Sequence, residues 1–184
     1  MLELDSFDLA LLNALQKEGL ATHQQLAEHV ALSTSQIGRR LQRLEDNHII
    51  EGYRVVLRPE ALGLSVTAFT SLRLQHHGDQ VIERFQREIE LLPEVLECHA
   101  VVGEADYLLK IVVPDLNALS AFVMKRLMQV PGVENVRSNI VLSAFKQSNA
   151  LPLGYVTARK PSSKDDDHDR KPSRDDDSER KPPR

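Results

Sequence analysis

The chain has 184 residues, a formal net charge of -4 and 41% hydrophobic residues, which suits one or two small domains with ordinary cores. No run of about 18 apolar residues occurs and the acidic start "MLELDSFD" lacks a basic n-region, so neither a transmembrane helix nor a secretory signal is expected. Cys98 is the only cysteine, which excludes an intramolecular disulfide and zinc-ribbon ligation and fits a reducing cytoplasm; with an acidic balance overall, any nucleic-acid reading must come from local clustering.

The first helix is expected over residues 5–17, with Phe7, Leu11, Leu12 and Leu15 on one stripe. The second starts at "THQQLAEHV", where Thr22 and Gln25 have capping-box spacing and Leu26, Ala27 and Val30 face inward. The third starts at Ser33, and Gln36 repeats that spacing. Only "ALS" separates the second and third helices, and two short helices joined so tightly read as a helix-turn-helix. The following "IIEGYRVVL" alternates around Gly52 and suggests a small hairpin or wing.

On a wheel of 100° per residue, Ile37, Leu41 and Leu44 of the third helix fall together. Gln36, Arg39 and Arg43 lie opposite, with Arg40 at the flank and small donors Ser33, Thr34 and Ser35 at the N-terminal turn. Such a face suits entry into a major groove: Arg pairs with guanine, Gln with adenine, and flanking arginines with helix N–H groups hold phosphate. Ser33, Thr34, Ser35, Gln36, Arg39, Arg40 and Arg43 are therefore the candidate DNA-binding residues. The plainer reading is a solvated helix face whose arginines pair with Glu45, Asp46 or other neighbours. The tandem capping boxes, the short turn and the wing favour DNA.

Beyond residue 60 the pattern changes. "SVTAFTSLRLQ" alternates as a strand, and "DQVIERFQREIELL" is an amphipathic helix through Val81, Ile82, Phe85 and Ile89. "PEVLECHAVVG" is a strand that turns at "GEAD" into "YLLKIVV". The helix "LNALSAFVMKRLMQV" follows, with Leu116, Leu119, Phe122, Val123 and Leu127 inside, and "PGVENVRSNIVLSAF" closes as a strand. The order is βαββαβ, and each helix ends in Pro-X-Val, which points to a ferredoxin-like sandwich. A four-stranded sheet with helices on one face leaves the other uncovered, so pairing with a second copy is expected. From about residue 157 the chain repeats "RKPS", "DDD" and "RKP", a charged, nearly neutral low-complexity tail expected to be disordered.

The loop Gly103-Glu104-Ala105-Asp106 reads two ways. Glu104 and Asp106 could accept an ammonium group while loop N–H groups hold a carboxylate; alternatively it is a plain hairpin turn with Asp106 bonding its own backbone. The histidines do not converge as a metal set.

At this point the residues carry a resemblance. "LDSFDLALLNAL…LAEHVALSTSQIGRRLQRLEDNHIIEGYRVVL" resembles the DNA-binding half of the Lrp/AsnC regulators of bacteria. "VVGEADYLLKIVVPDLNALSAFV" is similar to that family's effector-binding half, and "VLSAFKQSNALPL" to its usual ending. The match covers about residues 3–153. It implies an α+β chain: a winged helix-turn-helix domain at 1–60, a ferredoxin-like effector and oligomerisation domain at 61–153, and the disordered tail at 154–184. It also implies a sequence-specific, cytoplasmic, nucleoid-associated transcription regulator. The implied partners are double-stranded DNA, further copies of itself (a homodimer, then a tetramer or octamer) and a small amino acid bound between dimers, with no membrane, metal or cofactor. Carried over residue by residue, the effector candidates are Val102, Gly103, Glu104, Ala105, Asp106 and adjacent Tyr107, with Ser138 from the last strand. Two positions depart from the family. His48 stands where Gly is common, so His48 or Asn47 must take a positive φ; Ala105 stands where an aromatic residue is frequent. The alternative is an enzyme on the same scaffold, such as a siroheme decarboxylase. Those relatives carry His- and Arg-rich strand motifs, whereas "ECHAVVGEADYLL" offers His99 alone.

Overall fold

The computed structural model describes residues 2–76 and 78–158. The charged tail from residue 159 onward lies outside the described residues. The chain divides into two compact units, one built from the residues up to Arg54 together with those from Ser148, the other from Val55–Gln147. The resemblance implies divisions at 60/61 and 153/154 instead.

The first unit holds α1 (Ser6–Lys17), α2 (His23–Val30) and α3 (Thr34–Asp46). Each starts at a reciprocal capping box: Asp5 with Asp8, Thr22 with Gln25, and Ser33 with Gln36. Each box supplies partners for backbone N–H groups that a helix start otherwise leaves to water. Leu11, Leu26, Val30, Ile37, Leu41 and Leu44 form the core, with Phe7, Leu12, Leu15 and Ala27 packed around it. α2 ends at Ala31 in the left-handed region (φ 57°), which turns the chain sharply enough for Ser33 to cap α3 two residues later. After α3, His48 takes the positive φ (55°) and Asn47 does not (φ -94°). The expected hairpin at residues 49–57 is absent: that segment forms no strand, and Val55, Val56 and Leu57 are exposed. No strand forms among the described residues of this unit, so the alternation has no local ladder to join.

The second unit runs β1 (Val66–Leu74), α4 (Asp79–Glu90), β2 (Val95–Ala100), β3 (Tyr107–Val113), α5 (Leu116–Lys125) and β4 (Val133–Ile140). The strands lie in the order β2-β3-β1-β4, and each adjacent pair is antiparallel. This is the ferredoxin-like arrangement that the βαββαβ order predicts. Ala68, Leu72, Leu109, Ile111 and Val113 point to the helix side, where Phe85, Ile89, Leu119, Phe122 and Leu127 close the core. Phe69 and Lys110, cross-strand partners, lie on the other face. α5 is shorter than its apolar pattern: it stops at Lys125, a 3-10 turn carries Leu127, and Leu116 is exposed rather than inside. β4 likewise ends at Ile140, so "VLSAF" is not strand.

Gly132 sits at the turn into β4 with φ +90°. A Cβ there would meet Val81 Cγ1 at 2.9 Å, so both the dihedral and the packing under α4 require glycine.

Candidate functional site: a helix-turn-helix face and a loop cleft

α3 keeps Ile37, Leu41 and Leu44 buried, as its periodicity predicts. Ser33, Thr34, Ser35, Arg39 and Gln42 are exposed along its outer side. Gln36 is committed at its carbonyl end: Oε1 accepts from Ser33 N at 2.9 Å and Ser33 Oγ at 2.9 Å. A bidentate contact to adenine needs that oxygen as well as the amide nitrogen, so the cap and such a contact compete.

The other two arginines point elsewhere. Arg40 Nη1 donates to Asp5 Oδ2 at 2.8 Å and to Asp8 Oδ1 at 2.7 Å, and its guanidinium lies 5.4 Å from the Phe7 ring centroid. Arg43 Nη2 donates to Asp8 Oδ2 at 2.5 Å. The Asp8 side chain is fully buried. The capping box of α1 and two arginines of α3 are thus one ionic network. Desolvation by burial pushes the Asp5 carboxyl up, but the Asp8 backbone N–H and Arg40 outweigh it and hold Asp5 below the ordinary carboxylate range. The same two carboxylates raise Arg40 against its own burial. The partners of Arg40 and Arg43 are therefore Asp5 and Asp8 at the start of α1, not Glu45 or Asp46 as sequence proximity suggested. Glu45 instead accepts from Tyr53 Oη at 3.1 Å, and Asp46 accepts from Gln42 Nε2 at 2.9 Å.

In the second unit, a cleft of about 310 Å³ is lined by Ser71, Leu72, Arg73, Glu104, Ala105, Asn135 and Arg137. Two of the seven effector candidates, Glu104 and Ala105, line it. Arg73 Nε donates to the Glu104 carbonyl and ties the loop to β1. Asp106 reaches across to β1: its Oδ2 accepts from Leu74 N at 2.8 Å, and its N–H donates to Leu72 O at 3.0 Å. Gly103 takes φ +150° at the loop tip, and Val102 beside it is fully exposed. Tyr107 is a core residue, its ring centroid 4.5 Å from that of Phe85. Ser138 faces the helix side of the sheet, where its Oγ lies 2.9 Å from buried Thr70 Oγ1. Arg73, Asn135 and Arg137 were missed, although strand register pairs Ser71 with Arg137 and Arg73 with Asn135. Alternation along β1 and β4, read jointly, would have found them.

A three-helix unit with a tight helix-turn-helix, joined to a ferredoxin-like unit with a loop-lined cleft, defines a DNA-binding regulator with a ligand-binding domain. The comparisons agree. A winged helix-turn-helix DNA-binding family matches residues 4–51, and the Lrp/AsnC ligand binding domain matches residues 67–151. The leucine-responsive regulatory protein of Escherichia coli is 38% identical over 151 residues, 82% of this chain and 92% of its own. A transcriptional regulator of Neisseria meningitidis, solved in its L-Met complex, superposes with a TM-score of 0.80 at 38% identity over 84% of this chain and 99% of its own. An AsnC family transcriptional regulator of Agrobacterium tumefaciens gives 0.79 at 32% identity, over 84% and 100%. The chain belongs to the Lrp/AsnC family of transcription regulators.

Proposed function

We propose that this regulator reads duplex DNA with the outer side of α3 and senses a small amino acid at the loop cleft of its second unit. The observation that carries the first half is the exposed row Ser33, Thr34, Ser35 and Arg39 at the start of a helix capped by Ser33 and Gln36, directly after one capped by Thr22 and Gln25. Short side chains there let the helix enter a major groove, Arg39 suits guanine, and the N-terminal N–H groups suit phosphate. Arg40, Arg43 and Gln36 position the helix through their bonds to Asp5, Asp8 and Ser33. The acting species is a dimer or a larger closed assembly, which places two such helices on a roughly palindromic site.

The cleft supports the second half. Arg73 and Arg137 can meet a carboxylate, Glu104 an ammonium group, and Ala105 leaves room for a side chain. The meningococcal relative carries L-Met, which makes L-methionine the first probe. A bound amino acid acts by favouring one assembly over another, which requires different affinity for the two. The chain acts as a cytoplasmic regulator rather than an enzyme, in line with the regulators it is similar to.

The test is a mobility-shift titration on genomic duplex fragments with and without an amino-acid panel. Binding should weaken with salt, with a log–log slope of about -0.9 per phosphate neutralised, and Arg39→Ala should weaken it further. A slope near zero, or no retained fragment in dilute buffer, would remove the DNA reading. A spectral change on adding siroheme would favour the enzyme instead.

A further inference from the structure

Resting on the reading of α3 as the DNA-facing helix, we propose that Asp8 withholds Arg43, and with Asp5 Arg40, from the phosphate backbone, and so sets how much charge the helix offers a duplex. Three observations meet. The Asp8 carboxylate is fully buried and accepts at both oxygens: Oδ1 from Arg40 Nη1, Oδ2 from Arg43 Nη2 and from Asp5 N at 3.0 Å. Arg40 shares its Nη1 with Asp5 and is itself nearly buried, with the Phe7 ring beside it. Arg43 Nε is buried with no protein partner among the described residues, so this guanidinium is held by its Nη2 bond to Asp8 rather than by a full set of neighbours.

The charge count follows. Two guanidiniums on α3 face two carboxylates on α1, and the four groups sum to zero. A phosphate approaching Arg43 must compete with a desolvated carboxylate that already makes a charge-assisted bond with it. Counterion release depends on charges that are open to phosphate, so an internally neutralised arginine adds little to the salt dependence. Arg40 and Arg43 of α3 are drawn into the protein. Asp8 is thus a specificity-determining residue: by suppressing indiscriminate backbone attraction, it leaves discrimination to the short side chains and Arg39 at the outer face.

The experiment measures affinity for a non-specific duplex against salt concentration, using the full chain as wild type, Asp8→Asn, Arg43→Gln and the double variant, with helical content checked by circular dichroism. Asp8→Asn should bind several-fold more tightly at low salt and steepen the log–log slope by about 1 per chain. Arg43→Gln alone should leave the wild-type slope unchanged, and adding it to Asp8→Asn should cancel the steepening. If Asp8→Asn does not fold, Arg43→Gln decides alone: an unchanged slope supports the proposal, and a flatter one overturns it. A folded Asp8→Asn with an unchanged or shallower slope also overturns it. A wild type that binds no duplex removes the DNA reading itself, an outcome distinct from wild-type binding with a flattened Arg43→Gln slope.

Discussion

His48 adopts a left-handed backbone although its side chain has a Cβ. For an L-residue that conformation costs about 1 kcal/mol, and glycine adopts it freely. His48→Gly is expected to raise stability by about 0.5–1 kcal/mol, read as a higher urea midpoint with an unchanged m-value. Gly132 gives the opposite expectation. Gly132→Ala meets both a positive φ and Val81 Cγ1, so a loss of about 1–3 kcal/mol is expected; an unaltered midpoint would contradict the packing described. Asp5 makes stability depend on acid. Its folded value lies below the ordinary 3.8, so between the two values the unfolded chain binds the extra proton. Its contribution is complete above the ordinary value and is lost as pH falls through the folded one. Wild type should therefore lose more of its urea midpoint between pH 6 and pH 3 than Asp5→Asn does, and equal losses would refute the assignment.

At the level of elements, helix starts were the most legible feature, because a capping box is a local signal four residues long. Thr22–Gln25 and Ser33–Gln36 are visible in the sequence and present in the structure. The Asp5–Asp8 box escaped notice because its two members read as surface acids until their partners, 35 and 32 residues away, are in place. Wheel angles explain why Arg40 turns inward: it stands about 60° from the Ile37 direction, against about 160° for Arg39. The βαββαβ order was equally clear from alternation and period. The ends of α5 and β4 were not, since apolar residues continue past the point where the backbone stops pairing. The hairpin expected after α3 does not form within the described residues for a related reason: alternation alone cannot supply a partner strand. Ser33→Ala removes one cap and should cost about 1 kcal/mol, measurable by thermal melting as a change that Thr34→Ala does not reproduce.

For the whole molecule, the family was readable because two separate stretches agree in order and spacing, whereas the cleft was only half visible. Its loop residues are contiguous in sequence, but Arg73 and Arg137 reach it through the pairing of β1 with β4. An open sheet face bearing exposed Phe69 predicts association through that face. Light scattering should return at least twice the mass of one chain, and Phe69→Glu should lower it; a monomer at micromolar concentration would count against the assembly proposed above.

The route of the chain has one further effect. After completing the sheet, residues from Ser148 rejoin the helical unit, where the Gln16 amide bonds Leu151 on both sides, donating to its carbonyl at 3.2 Å and accepting from its N–H at 2.5 Å. The helical unit is therefore not a transplantable cassette of consecutive residues. Cutting the gene after Arg54 discards a stitch sewn from beyond the sheet, and a nascent chain leaving the ribosome cannot make that stitch until the whole second unit has been synthesised.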